Sequence, residues 1–205
     1  MKYIIMCGGP SCKIKPPKHL YQYKGEPLIK RTIRFLKEAG IKDLVITTSP
    51  NSVDLFKDFG VEVIAYEAVN DPYYWVDCFY PSDEPICYMY GDVFYSPEAI
   101  KTIIETETDD IEFFASAPPF ASNYPKQWAE PFAFKVVNQK RFRECIEATK
   151  EWKGWTRHPL SWELWQVVKH TPRNRIDYTN YTVINDYSCD VDYESELTQW
   201  AMFDI

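Results

Sequence analysis

The chain opens on an unbroken apolar run, Tyr3 to Cys7, that stops at Gly8 and Gly9. A short run without polar alternation predicts a strand buried on both faces, as in a parallel sheet. A polar loop rich in lysine, proline and small residues follows. Leu28, Thr32, Ile33 and Leu36 then share one face of an expected helix, with Pro27 at its start and Gly40 past its end. Proline is pre-set for a helix start and glycine for the left-handed residue beyond a helix end. The basic positions Lys30, Arg31, Arg34 and Lys37 read as the solvated face of that helix. Leu44 to Thr48 and Val61 to Ala65 predict two more strands, with a short helix from Ser52 to Phe59, closed by Gly60, between them. Tyr73 to Tyr80 reads as helical. Ile86 to Tyr90 is another apolar run, ending at Gly91-Asp92. Ser96 and Pro97 fit an N-cap and first turn ahead of Ile100, Ile103 and Ile104.

In the second half, Ile111 to Ala117 and Pro131 to Val137 predict strands, joined through Pro118, Pro119 and Pro125. Gln139 to Lys150, Leu160 to Val168 and Glu194 to Trp200 predict helices. Strands alternating with helices define an α/β class: a three-layer α/β/α arrangement around a mostly parallel mixed sheet. No repeat, low-complexity tract or linker divides the chain, so residues 1–205 read as a single domain.

Composition narrows the function. With 30 acidic against 23 basic residues the net charge is −7. Polynucleotide binders owe most of their affinity to cations on backbone phosphates, so no nucleic-acid polymer is expected as partner. A mononucleotide needs only a few local cations, which the overall acidity allows. The six cysteines form no C-x-x-C pair and no zinc spacing, and scattered cysteines point to a reducing compartment. The N-terminal apolar run is too short for a signal sequence and no stretch reaches transmembrane length, so a cytoplasmic protein without a membrane partner is expected. Aromatic residues stand at 17%; a Tyr-rich core and surface accounts for most, and some would line a pocket.

Candidate chemistry sits at the ends of three expected segments, where open α/β sheets bind ligands. The first is Cys7-Gly8-Gly9-Pro10-Ser11-Cys12-Lys13, followed by Pro17-Lys18. Glycines after a strand let backbone N–H groups approach phosphate oxygens, and lysines neutralise them. This is neither G-x-G-x-x-G nor a Walker A loop, and an ordinary loop has the same composition. The second is Gly91-Asp92-Val93. A strand-end carboxylate suits Mg²⁺, which takes one or two carboxylates and fills its other positions with phosphate oxygens and water. A turn Asp capping a helix has the same appearance. The third is Asp190-Val191-Asp192. Two acids one residue apart on an extended segment face the same side and would complete a metal site; the competing reading makes Asp192 part of the cap of the last helix.

Taken in order, these segments resemble a known family. Ile4-Ile5-Met6-Cys7-Gly8-Gly9, then Pro17-Lys18, then Gly25-Glu26-Pro27-Leu28-Ile29 resembles the opening of the nucleotide-sugar pyrophosphorylase and cytidylyltransferase superfamily. Its members typically open L-A-G-G-x-G-[ST]-R, then P-K, then G-x-P-[LM]-[IL]. Tyr90-Gly91-Asp92-Val93-Phe94 looks like the family's G-D metal motif, and Asp190 to Leu197 like its D-[IV]-D-T-P-E-D-L ending. Trp128 to Val136 resembles the strand bordering the acceptor pocket. Ser11 and Lys13 depart from the usual Gly and Arg, and Tyr193-Glu194-Ser195 replaces T-P-E.

The resemblance implies a nucleotide-diphospho-sugar transferase fold of the GT-A-like kind, with a nucleotide-binding half at 1–117 and an acceptor-binding half at 118–205. It implies transfer of an NMP from an NTP to a small phosphorylated acceptor, with release of pyrophosphate. The chain is near the size of cytidylyltransferases acting on phosphocholine or similar metabolites, which favours CTP; a sugar 1-phosphate is the alternative acceptor. Mg²⁺ would be held by Asp92 and Asp192, with Asp190 as the other choice. Lys13 and Lys18 would be catalytic. Cys7, Gly8, Gly9, Pro10, Ser11, Asn70, Asp71 and Gly91 would bind the nucleotide, with Ser49-Pro50-Asn51 assisting base selection. Lys126, Glu130, Arg157 and His158 would bind the acceptor. Surface-polysaccharide assembly is the setting such products commonly serve, and a homodimer is compatible with it. A glycosyltransferase on the same sheet is the main rival, but its Asp-x-Asp usually follows the fourth strand, where this chain has Gly91-Asp92. A non-catalytic nucleotide-binding domain is a second rival, and it has no need for both Asp92 and Asp192.

Overall fold

The apolar run at the start of the chain is strand β1 (Lys2–Met6), an interior strand of a seven-stranded sheet. The computed structural model describes residues 1–8, 15–66, 79, 82–116, 129–151, 161–171 and 179–202. After β1 come a hairpin, β2 (Gln22–Tyr23) and β3 (Glu26–Pro27), then helix α1 (Leu28–Glu38), β4 (Leu44–Thr48), α2 (Val53–Phe56) and β5 (Glu62–Ala65). The chain continues through β6 (Ile86–Tyr90), β7 (Val93–Phe94), α3 (Pro97–Glu105), β8 (Ile111–Ser116) and β9 (Pro131–Val136). It ends with α4 (Gln139–Lys150), α5 (Ser161–Val168), β10 (Thr182–Ile184), β11 (Cys189–Asp190) and α6 (Glu194–Met202).

The large sheet runs β10-β8-β9-β6-β1-β4-β5. All neighbours pair parallel except those of β9, which is antiparallel to both β6 and β8. The expected mostly parallel mixed sheet is therefore present. Its two faces are read directly from the alternation along β1. Tyr3, Ile5 and Cys7 join a core with Ile29, Ile33 and Leu36 of α1 and Ile100 and Ile103 of α3. Ile4 joins the opposite core, with Phe142 of α4 and Leu164 and Trp165 of α5. Much of the aromatic content lies in this second core. Phe134 stacks on Tyr88 at 4.9 Å and on Phe113 at 5.1 Å between ring centroids.

Helix ends follow local chemistry. Gly40, just past the C-cap Ala39, has φ +86°, the left-handed conformation expected there. Ser96 caps α3, its hydroxyl accepting from the Ala99 N–H at 2.7 Å. Lys135, buried in β9, donates to the Ile104 and Thr106 carbonyls at 2.9 and 2.6 Å, placing a cation at the negative end of α3. Lys24 and Gly25, both at positive φ, make the two-residue turn of the β2–β3 hairpin.

Three expectations change. The helix expected from Ser52 to Phe59 is broken, with the single turn α2 flanked by 3-10 turns at Pro50–Ser52 and Lys57–Phe59. Extended backbone in the Asp190-Val191-Asp192 segment ends at Asp190. Arg31 is not on a solvated face: it is 5% exposed. Its guanidinium donates to the Tyr95 carbonyl and lies 4.1 Å from the Phe94 ring centroid and 4.5 Å from that of Phe35. A third cluster causes this. Tyr21, Tyr23 and Leu28 pack with Phe94, Cys189, Val191 and Leu197, and this cluster covers a flank of α1 that helical periodicity assigns to water. The other basic residues of α1 stay accessible; Arg34 pairs with Glu26 at 2.8 Å. The helix expected at Tyr73 to Tyr80 falls almost wholly outside the described residues.

Candidate active site

Because β1, β4, β5 and β6 are parallel, their C-terminal ends share one edge. The backbone just past β1 is consumed in building that edge. Cys7 N–H donates to the Thr47 carbonyl at 2.7 Å, and the Cys7 carbonyl accepts from Thr48 Oγ1 at 2.8 Å. Cys7 is thus buried, with its N–H engaged by β4 and not left for a phosphate. The Gly91 N–H is likewise bound to the Met6 carbonyl at 3.0 Å. Ser49 is buried, its hydroxyl 3.1 Å from that of Ser52 in the turn after β4.

Two glycines sit at close approaches here, one against a side-chain end and one against backbone. A Cβ on Gly8 would lie 1.2 Å from the Tyr66 hydroxyl oxygen. A Cβ on Gly91 would lie 2.5 Å from Cys7 Sγ and 2.8 Å from both the Met6 carbonyl oxygen and His19 Cδ2. Backbone on one side of Gly91 cannot rotate away. Gly91→Ala is therefore expected to destabilise the fold by about 1–3 kcal/mol. In a chain of this size that lowers the melting temperature by about 2–4 °C per kcal/mol, readable by differential scanning fluorimetry. An unchanged melting temperature would refute the tight packing.

The Pro17-Lys18 segment forms a 3-10 turn, Lys18–Leu20, that sends consecutive side chains opposite ways. His19 points inward: it is 1% exposed, packs edge-on against Phe56 at 5.8 Å, and its Nδ1 has no hydrogen-bond partner among the described residues. Burial holds its pKa below the ordinary 6.5, with the Asp92 charge opposing and Lys18 adding to the shift. The unfolded chain therefore takes up this proton first as pH falls. The stability that His19 contributes is complete above about pH 6.5 and declines below it, by up to about 1.4 kcal/mol per pH unit. Urea unfolding at pH 7.5, 6.5 and 5.5 should show the stability gap between wild type and His19→Gln narrowing toward acid. A constant gap would contradict this.

Lys18 points outward into a nest of carboxylates. Its Nζ is 2.8 Å from Asp192 Oδ1 and 3.8 Å from Asp92 Oδ2. Burial alone would lower its pKa, but Asp190, the hydrogen-bonded Asp192 and Asp92 together hold it above the ordinary lysine range. Residues far apart in sequence meet here through the short β7–β11 ladder. Asp190 pairs with Val93, Cys189 pairs with Phe94, and the Val191 N–H donates to the Asp92 carbonyl at 3.0 Å. Behind the ladder, the Ser96 N–H donates to Ser188 Oγ at 2.8 Å and the Ser96 hydroxyl to Asp186 Oδ2 at 2.5 Å.

No group of three His, Cys, Asp or Glu side chains converges on one metal position among the described residues. Two carboxylates, Asp92 and Asp192, do share a single cation, the Lys18 ammonium. That donor set fits Mg²⁺, which commonly uses one or two protein carboxylates beside phosphate oxygens and water. Glu130 lies before β9, its N–H 3.0 Å from Ser116 Oγ and its carbonyl accepting the Ser116 N–H at 3.0 Å. Gly9, Pro10, Ser11, Lys13, Asn70, Asp71, Lys126, Arg157 and His158 lie outside the described residues. Tyr66 and His19 were missed from the sequence. The strand-end rule points to Tyr66, which directly follows β5, whereas His19 has no sequence signal beyond adjacency to Lys18.

The α/β architecture around a mostly parallel mixed sheet is that of nucleotidyltransferases of the nucleotide-diphospho-sugar fold. The backbone is similar to that of 4-diphosphocytidyl-2C-methyl-D-erythritol synthase from Anaerococcus prevotii, with TM-score 0.63 and 11% identity over 98% of this chain and 96% of that one. It is also similar to CTP:phosphocholine cytidylyltransferase from Streptococcus pneumoniae, with TM-score 0.59 and 15% identity over 100% and 99%. In sequence, 88 residues are 35% identical to a choline-phosphate cytidylyltransferase of Streptococcus pneumoniae, spanning 39% of this chain and 37% of that enzyme. Residues 3–158 match the MobA-like NTP transferase domain, and the chain belongs to that family of nucleotidyltransferases.

Proposed function

We propose that this enzyme transfers a nucleoside monophosphate, CMP in the first instance, from its NTP to a small phosphorylated acceptor, with Mg²⁺ as cofactor. The observation that carries the proposal is the Lys18 ammonium set between Asp192 and Asp92 at the carboxyl edge of the sheet. Bound between Asp92 and Asp192, Mg²⁺ would neutralise the triphosphate. The acceptor's phosphate is ionised at neutral pH, so no general base is needed. One of its oxygens bonds to the α-phosphorus while the bond to the bridging oxygen breaks in line, and pyrophosphate leaves. Positioning and charge neutralisation then account for the rate. Lys18 neutralises charge building on the α-phosphate, the Gly8-Gly9 loop and Lys13 hold the β- and γ-phosphates, and Gly91 keeps Asp92 close to the end of β1.

CTP is favoured by the cytidylyltransferase relatives, and phosphocholine is the first acceptor to try, ahead of sugar 1-phosphates. We place the reaction in the cytoplasm; no helix among the described residues is long and apolar enough to cross a membrane. The test is a thermal-shift panel of CTP, UTP, dTTP, GTP and ATP, with and without Mg²⁺, followed by pyrophosphate release with phosphocholine and sugar 1-phosphates. One nucleotide at about a hundred times its Kd should add about 2.7 kcal/mol of stability in the presence of metal. If no nucleotide stabilises the protein, the proposal fails. If UTP or dTTP stabilises it and CTP does not, the choice of base is overturned.

A further inference from the structure

Asp192 stands one residue outside the cap position of α6, where a carboxylate can still turn back onto the helix's first N–H groups as a cap residue does. It does not do so here. Its Oδ1 faces Lys18, and the N–H groups go elsewhere. Glu196 Oε2 accepts from the Asp192 N–H at 2.7 Å and from the Tyr193 N–H at 3.0 Å. Glu196 is the third residue of α6, so this is the glutamate half of a capping box, with its carboxylate folded back over the helix start. The other half is absent. The cap position is Tyr193, whose side chain is 69% exposed, and the Glu196 N–H goes to the Tyr193 carbonyl at 3.0 Å. Past the Val191 N–H, which the Asp92 carbonyl takes, Glu196 holds the next two backbone N–H groups of the turn that carries Asp192.

Resting on the metal-dependent transferase reading above, we infer that Glu196 is a positioning residue: by taking the backbone N–H groups of Asp192 and Tyr193, it releases the Asp192 carboxylate from capping and aims it at the metal and the phosphates. Glu196 itself touches neither. Without it, the Asp192 carboxylate is a neighbouring acceptor for the freed N–H groups at the start of α6 and turns toward them, away from Lys18 and the ion. Glutamine keeps an oxygen at the same reach and can accept both N–H groups, so it preserves the function. Alanine cannot. Outer partners of metal ligands typically change metal affinity by about 10–100-fold.

The experiment measures Mn²⁺ affinity by electron paramagnetic resonance in the presence of saturating CTP, together with kcat and KM for CTP, in wild type, Asp192→Asn, Glu196→Gln and Glu196→Ala. Glu196→Ala should weaken Mn²⁺ binding about tenfold or more and lower kcat, with kcat recovering as metal is raised. Glu196→Gln should stay within about twofold of wild type. The inference is overturned if Glu196→Ala keeps wild-type metal affinity while Asp192→Asn loses it, and the transferase reading then stands. It is also overturned if Glu196→Gln is as impaired as Glu196→Ala, because the charge and not the capping would then matter. If wild type and Asp192→Asn bind Mn²⁺ alike, the metal reading fails and the inference with it.

Discussion

Asp92→Asn is expected to lower turnover roughly 10³-fold and to abolish the metal-dependent part of nucleotide stabilisation. The substitution keeps shape and removes one negative charge. It leaves the local fold intact, because the Val191 N–H bonds to the backbone carbonyl of Asp92 and not to its carboxylate. Melting of the nucleotide-free variant should therefore match wild type within a few degrees. The decisive comparison is the Mg²⁺-dependent shift with CTP, large in wild type and absent in Asp92→Asn. A variant that retains this shift would remove Asp92 from the metal site and restore its reading as a turn residue.

Lys18→Met is expected to lower kcat by roughly 10²–10³-fold, the usual effect of deleting a donor that meets charge in the transition state. It should also have an opposite effect in the nucleotide-free protein. Lys18 Nζ sits against Asp192 and Asp92, where it competes with any divalent cation. Removing a unit charge at about 4 Å is worth about 1 kcal/mol even in water, so Mn²⁺ alone should bind the variant at least about fivefold more tightly. Methionine fills a similar volume, which limits the loss of packing. An inactive variant with tighter Mn²⁺ binding supports both roles of Lys18. Unchanged turnover would exclude it from the chemistry, and unchanged Mn²⁺ affinity would exclude the competition.

Much of the fold was legible in the chain because local patterns repeat there. The run Ile86–Tyr90 and the span Gln139–Lys150 were read with the observed bounds, since an apolar run ending at glycine and a 3.6-residue periodicity are local signals. Elements without such a signal went unread. β2, β3 and β7 have two residues each and β10 has three, too few to show any period. Arg31 was misread for a related reason: helical periodicity knows only one core, and the cluster around Phe94 and Leu197 is assembled from segments more than a hundred residues apart.

The candidate site divides the same way. The sequence by itself determined the parallel α/β class, the strand-end positions of Gly8 and Gly91, and a short list of acids and lysines, because these depend on neighbours along the chain. Only the tertiary structure decided that Asp92, Asp190 and Asp192 gather around Lys18, that the Cys7 N–H and carbonyl bond to Thr47 and Thr48, and that Glu196 caps the turn of Asp192. Those facts rest on the β7–β11 ladder and on hydrogen bonds between distant backbone groups, and no local pattern of side chains encodes which distant strand a short segment will meet.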